Sequence, residues 1–206
     1  MKLLLASGNR KKLAELQRVA APLGVEVVSP ADVGGLPEVI EDGDTFAANA
    51  AKKASSGARH SGLWTLADDS GLAVDALDGA PGVFSARFAG VHGDDEANNR
   101  KLLHDLSEVP DQDRGAAFVC ALALARPETG EIAFETIGRT SGEILREAQG
   151  TGGFGYDPLF RFTESGFPVT GMVFGRLGAE EKASVSHRGR ALRELELDLP
   201  RLLQDS

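Results

Sequence analysis

Cysteine is almost missing from this chain. Cys120 is the single one in 206 residues, so no internal disulfide can form, and its place in the apolar run Phe118–Ala125 predicts a buried, unreactive thiol. Long apolar runs are missing too. Met1-Lys2-Leu3-Leu4-Leu5-Ala6 is too short for the central region of a signal peptide, and no later segment approaches the roughly 20 residues of a membrane span. The expectation is a cytoplasmic protein without a membrane partner. Positive charge is in deficit: 22 Lys and Arg face 31 Asp and Glu, a net charge of −9 that works against the basic footprint a nucleic-acid partner demands. Any cation that matters must be concentrated locally. Neither repeats nor low-complexity tracts nor a linker interrupt the chain, so residues 1–206 read as one domain, long enough to bury a core without staples.

What is present alternates short apolar runs with helical spacing. Leu3–Ala6 reads as a strand, Ser7-Gly8-Asn9 as a turn, and Leu13, Leu16 and Ala20 as one face of a helix that Pro22 and Gly24 end. Val25–Val28 is a second strand, and the proline- and glycine-bearing stretch Ser29–Gly43 is a long connection. Asp44 or Thr45 caps a helix running to about Ser61, with Gly62 as its stop. Two strand segments, Leu63–Ala67 and Leu72–Ala76, bracket Asp68-Asp69-Ser70-Gly71 at an expected bend. A helix over Asp94–Leu106 follows a glycine-rich stretch, and Phe118–Ala125 with Ile132–Gly138 form an antiparallel hairpin around Pro127–Gly130. The tail offers a short helix at Ala179–Lys182 and a last one from about Arg188, which Pro200 ends or kinks. A hairpin inside an otherwise alternating order indicates an α/β fold on a mixed sheet.

Several segments have side chains suited to chemistry. Ser7-Gly8-Asn9-Arg10-Lys11-Lys12 leaves a strand and starts a helix, where free N–H groups and the dipole attract an anion. Gly8 permits close approach of a phosphate and Lys12 adds a full charge; an ordinary capped helix with a basic first turn is the alternative. It is not a Walker A sequence. Asp68 and Asp69, with Glu41 from the long acidic connection, suit Mg²⁺, or else a solvated acidic turn. Adjacent strand residues point to opposite faces, so one of the two aspartates faces a given site. Asn49 and Lys53 share a helix face that serves either phosphate or solvent. Gly150–Pro158 sets four glycines around Phe154, Tyr156 and Asp157, either to let a flat ligand stack on Phe154 or to form a turn with tucked aromatics. Lys182 and Ser186-His187-Arg188 add donors of several geometries near a helix start.

Six blocks together resemble the inosine and xanthosine triphosphate pyrophosphatase family. They are Ser7-Gly8-Asn9-x-x-Lys12, Thr45-Phe46-x-x-Asn49-Ala50-x-x-Lys53, Ala67-Asp68-Asp69-Ser70-Gly71-Leu72, Gly79-Ala80-Pro81-Gly82-Val83-x-Ser85-Ala86-Arg87, Gly152-Gly153-Phe154-Gly155-Tyr156-Asp157-Pro158 and Glu181-Lys182-x-x-x-Ser186-His187-Arg188-Gly189. They occur in order over nearly the whole chain. The resemblance implies an elongated mixed sheet flanked by helices, one domain with two lobes around a central cleft, a homodimer, and Mg²⁺ as cofactor. It implies hydrolysis of non-standard purine nucleoside triphosphates to monophosphate and pyrophosphate. Asp69 would be the general base, with Asp68, Glu41 and Asp69 holding metal. Ser7, Asn9, Lys12, Lys53 and Lys182 would hold the triphosphate, with Gly8, Arg10, Lys11 and Ser70 also binding the substrate. Phe154 would stack on the base, with Gly155 and Tyr156 beside it and Asp157, Ser186, His187 and Arg188 along its polar edge. An inosine or xanthosine base offers an acceptor oxygen at position six where adenine offers a donor, so Arg188 or a backbone N–H would favour the former.

Met172-Val173-Phe174-Gly175-Arg176-Leu177 departs from the acidic character of many relatives, which predicts an altered surface or loop contact near Lys182. Two rival readings stand beside this one. A pyrophosphatase for pyrimidine nucleotides is disfavoured by the Phe154 loop and the Ser-His-Arg block. A sensor that holds triphosphate without cleaving it is disfavoured by Asp68-Asp69.

Overall fold

The computed structural model describes residues 1–204. Strand β1 (Lys2–Leu5) leads into helix α1 (Arg10–Ala20) and strand β2 (Glu26–Val28). After a connection with a 3-10 turn at Pro30–Val33 come helix α2 (Phe46–Ser61), strand β3 (Trp64–Val74) and helix α3 (Asp95–Asp105). Strands β4 (Gly115–Ala125), β5 (Ile132–Ile144) and β6 (Phe160–Phe162) precede helices α4 (Ala179–Val185) and α5 (His187–Gln204). One sheet runs β2-β1-β3-β4-β5-β6, with β1 parallel to β2 and β3 and β6 antiparallel to β5. The α/β class and mixed sheet read from the sequence are therefore found.

The chain forms two compact units: one of Met1–Asp69, Cys120–Ile137 and the chain from Ala191 on, the other of Ser70–Val119 and Gly138–Arg190. In the first unit, strand alternation sorts side chains by size. Cys120, Leu122 and Leu124 of β4 join Leu3, Leu5, Trp64 and Leu66 in a core with Leu16 and Ala20 of α1 and Ala191, Leu192, Leu195, Leu199 and Leu202 of α5. The intervening Ala121, Ala123 and Ala125 join Ala67 of β3 against Ala50, Ala54 and Ala58 of α2. A surface of methyl groups lets a helix come close, and at Gly57 an added Cβ would lie 2.8 Å from Thr65 Cγ2. Thr45 caps α2 by accepting from Ala48 N–H at 3.1 Å, and Gly62 ends it at φ +67°.

The second unit packs rings. Phe118 lies 4.6 Å from Phe160 and 5.8 Å from Phe174, between centroids, with Phe162, Tyr156, Leu72, Leu102, Leu106 and Ile144 in the same core. Buried Arg114 replaces a counter-carboxylate with backbone. Its guanidinium donates to Leu106 O (2.6 Å), Ile144 O (2.8 Å) and Leu145 O (3.1 Å), joining the C-terminal end of α3 to the end of β5.

Three sequence-based expectations need correction, and one strand was missed. No bend interrupts β3: Asp68-Asp69-Ser70-Gly71 lies inside one continuous strand. Gly71 allows this, because an added Cβ there would sit 2.2 Å from Ser85 Oγ, which accepts from Leu72 N–H at 2.9 Å. Pro200 lies within α5, which continues to Gln204. The hairpin's second strand runs on to Ile144, and β6, three residues long, was too short to show a period. Cys120 is buried as expected.

Arg114→Ala should remove three charge-assisted hydrogen bonds and leave their carbonyls buried. We expect a loss of about 3 kcal/mol or more, read as a lower urea midpoint at unchanged m; an unchanged midpoint would show that Arg114 does not tie these elements.

Candidate active site

The continuity of β3 decides how its two aspartates are used. Leu66 and Asp68 share the face that α1 packs on, whereas Thr65, Ala67 and Asp69 share the face that α2 packs on. Each carboxylate accordingly finds a lysine from a different helix. Asp68, with a side chain 1% exposed, accepts from Lys12 Nζ at 2.7 Å. Asp69 accepts from Lys53 Nζ at 3.3 Å and from Asn49 Nδ2 at 3.1 Å. Lys53 also donates to Glu41 Oε2 at 2.9 Å, so one ammonium bridges two carboxylates.

Burial pushes the Asp69 carboxyl above its ordinary range, against the opposing pull of Lys53 and of the Asn49 hydrogen bond. Burial pulls Lys53 down, but Asp69 and Glu41 outweigh it and hold the ammonium charged. The pair is thus a carboxylate of increased basicity beside a firmly protonated lysine.

Among the described residues no group of three or more His, Cys, Asp or Glu is placed to hold a metal ion. Mg²⁺ does not require one, since it takes one or two carboxylates and completes its shell with water and phosphate oxygens. Glu41 Oε2 and Asp69 Oδ1 already converge on a single cationic nitrogen, a donor set of the hard-oxygen type that Mg²⁺ uses.

The start of α1 is built as a cradle. Asn9 Oδ1 accepts from the N–H groups of Lys11 (2.9 Å) and Lys12 (3.4 Å), and Ser7 Oγ accepts from Asn9 N–H (3.2 Å). As acceptors these side chains fix the turn, and the Ser7 hydroxyl and Asn9 amide keep protons to donate. An added Cβ at Gly8 would meet nothing within 4 Å, so no neighbour within the fold demands glycine there. Arg10 and Lys11 are exposed, Lys12 is half-buried, and Ser70 is half-buried on β3.

The second unit carries the other expected residues. Buried Asp157 accepts from Phe154 N–H at 2.8 Å and from Lys182 Nζ, and an added Cβ at Gly153 (φ +81°) would lie 2.1 Å from its Oδ2. The loop is therefore wound on a carboxylate. Phe154 stays 59% exposed, with the Lys182 ammonium 4.5 Å from its ring centroid. Asp95 and Asn99, one turn apart on α3, hold the next peptide: Gly155 N–H donates to Asp95 Oδ2 (2.7 Å), and Asn99 Nδ2 donates to Gly155 O (3.0 Å). Ser186 Oγ accepts from Gly189 N–H at 3.0 Å at the start of α5, and His187 stacks on Phe118 at 5.0 Å. Arg188 is half-buried beside it.

Some side chains stand differently from the expectation. Tyr156 is buried with its hydroxyl donating to Ser85 O at 2.9 Å, which leaves its main chain for any ligand. Lys182 pairs with Asp157, in the cluster that contains Phe154. In the departing segment Val173, Phe174 and Gly175 are buried while Met172 and Arg176 are exposed, and Gly175 O accepts from Gly152 N–H at 2.9 Å, a loop contact of the kind expected there. Asn49 is 1% exposed and bonded on both sides, which removes the solvated reading of its helix face. Asp95 and Asn99 were missed altogether, their only signal being the i, i+4 spacing of two short polar residues.

Residues 3–197 match the model of the Ham1 family. A dITP/XTP pyrophosphatase of Corynebacterium efficiens is 53% identical over 199 residues, 95% of each chain, and one of Rhodopirellula baltica is 48% identical over 99% of this chain and 95% of its own. Among solved structures, a HAM1 protein from Coxiella burnetii superposes with a TM-score of 0.88 at 39% identity, covering 98% of this chain and 99% of its own. A nucleoside-triphosphatase / dITP/XTP pyrophosphatase from Mycobacterium abscessus gives 0.79 at 53% identity, covering 95% and 98%.

Gly153→Ala should force its Cβ against the Asp157 carboxylate from a left-handed backbone, at a cost of about 1–3 kcal/mol. Hydrogen exchange at Phe154 N–H should accelerate as its bond to Asp157 is lost; unchanged exchange would show that the loop does not depend on that carboxylate.

Proposed function

Because the chain belongs to the Ham1 family, we propose that it hydrolyses non-standard purine nucleoside triphosphates, those of inosine, deoxyinosine and xanthosine, to the monophosphate and pyrophosphate. Removing them keeps such bases out of DNA and RNA. The observation that carries the reading is the convergence of Glu41 and Asp69 on one cation position, one residue along β3 from Asp68 and its partner Lys12.

Asp69 takes the proton of the water that attacks the α-phosphorus, and the bond from that phosphorus to the bridging oxygen breaks as pyrophosphate leaves. Burial raises the basicity of Asp69, which suits it to that step. The donors and charges of Ser7, Gly8, Asn9, Arg10, Lys11, Lys12, Lys53 and Ser70 hold the triphosphate. Their task is positioning and charge stabilisation, the main requirements of phosphoryl chemistry. Glu41 and Asp69 would hold Mg²⁺, which would neutralise phosphate oxygens and favour deprotonation of water, while Asp68, on the opposite face of β3, would act through its partner Lys12.

Phe154 offers its exposed ring to the purine, supported by Lys182, while the Gly155 and Tyr156 main chain and Asp157 shape the same loop. Ser186, His187 and Arg188 face the polar edge, with a donor for the oxygen at position six. The same reading takes residues 1–206 as one functional domain, supported by the family match over residues 3–197. From the family resemblance it takes the protein as a cytoplasmic homodimer acting on small nucleotides.

Pyrophosphate release should be fast with inosine and xanthosine triphosphates and slow with those of adenosine, guanosine and the pyrimidines, and chelation should abolish it. Equal rates across the panel would refute the specificity, and full activity in chelator would refute the metal. Asp69→Asn should lower kcat by roughly 10²–10⁴-fold while substrate binding persists; wild-type turnover in that variant would remove Asp69 from its role.

A further inference from the structure

Asn49 of α2 is 1% exposed, yet both polar atoms of its amide are used. Oδ1 accepts from Gly43 N–H at 2.8 Å, and Nδ2 donates to Asp69 Oδ2 at 3.1 Å. Gly43 lies two residues after Glu41, and an added Cβ at Gly43 would fall 2.7 Å from that same Oδ1. The amide therefore clamps the connection that carries Glu41 to the strand residue Asp69. Lys53, one turn further along α2, makes the parallel link through Glu41 Oε2 and Asp69 Oδ1.

The two links differ in kind. A lysine ammonium sits on a flexible stem and can exchange a carboxylate for another anion, whereas a buried amide with both ends bonded is fixed. An asparagine nitrogen on Oδ2 sets the plane of the Asp69 carboxylate and leaves Oδ1 to the exchangeable lysine, the position a metal or substrate water would take over. The same amide, through its oxygen, fixes the backbone two residues from the second carboxylate.

We propose that Asn49 is a positioning residue for the reaction: its amide presents Asp69 Oδ1 and locates Glu41 relative to it, so that the two carboxylates are aligned before substrate arrives. This rests on the reading of Asp69 as the general base. Asn49 touches no reacting atom. Its contribution is to remove the freedom of a carboxylate that must be held within a narrow angular range to take a proton.

The test is a double-mutant cycle on the full-length enzyme with inosine triphosphate and Mg²⁺. Asn49→Leu, close in shape but unable to make either bond, should lower kcat by about 10- to 100-fold, with KM changed by less than about threefold. Binding of inosine triphosphate in chelator, followed by calorimetry, should be kept to the same margin. In an Asp69→Asn background the same change should cost less than about twofold, because Asn49 acts only through the carboxylate already removed. Asn49→Ala, which also makes neither bond, serves if the leucine variant does not fold, with the same expectation. Wild-type kcat in a folded variant, or an equal loss in both backgrounds, would overturn the proposal. Wild-type turnover in Asp69→Asn alone would instead overturn the general-base reading.

Discussion

Two aspartates in consecutive positions of a strand flanked by neighbours on both sides cannot share a face, and each loses its hydration as the sheet is covered. That constraint organises the first unit. A buried carboxylate without a partner costs several kcal/mol, so each face must bring its own cation. On one face the cation is Lys12, delivered by α1; on the other it is Lys53, delivered by α2. The hydrophobic patterning serves the same end. Leucines carry the α1 face, and the alanine seam of Ala67, Ala121, Ala123 and Ala125 draws α2 in close enough for Asn49 and Lys53 to reach Asp69.

The second unit repeats the device with a loop in place of a strand. Asp157 is buried, and its charge is met by Lys182 and by Phe154 N–H, so the glycine-rich segment wraps around an anion. Gly153 has to be glycine because the carboxylate lies where a Cβ would be. The result is an exposed aromatic ring with the Lys182 ammonium over it and the next peptide held by Asp95 and Asn99. A ring fixed in this way stacks on a flat partner with little further ordering.

Much of this was legible from residues alone, and the failures share a cause. The helix at Phe46–Ser61 was bounded correctly because Thr45 and Gly62 are local signals, and local signals are what a sequence displays. The mixed sheet followed from strand order and the hairpin. The supposed bend at Asp68–Gly71 was wrong because polar residues in a strand look like a turn until one knows that Lys12, Lys53 and Asn49 arrive from distant segments to satisfy them. Pro200 does not end the last helix, because Leu199 and Leu202 on either side of it are buried in the core of the first unit. Asn49 was noticed for its spacing from Lys53 but left between phosphate and solvent, since nothing local reveals that its oxygen meets Gly43. Tyr156 was grouped with the ligand-facing aromatics because composition cannot say which of two nearby rings turns inward.

Lys12, Lys53 and Lys182 are all ion-paired in the free protein, and their partners' burial determines which pairing can be given up. Asp68 and Asp157 have side chains 1% and 3% exposed, so withdrawing Lys12 or Lys182 would strand a buried charge at a cost of about 3–5 kcal/mol. Those two lysines can extend toward an incoming anion only while keeping their carboxylates. Lys53 differs, because Asp69 is 14% exposed and Glu41 38%, within reach of water, and both present oxygens that a divalent cation accepts. On the proposed reading a triphosphate reaching the first unit therefore meets Lys12, which stays, and Lys53, which can exchange Asp69 for phosphate. The carboxylate released by that exchange is Asp69, still held on its other oxygen by Asn49, so on the proposed reading the base is freed by the arrival of the molecule on which it acts.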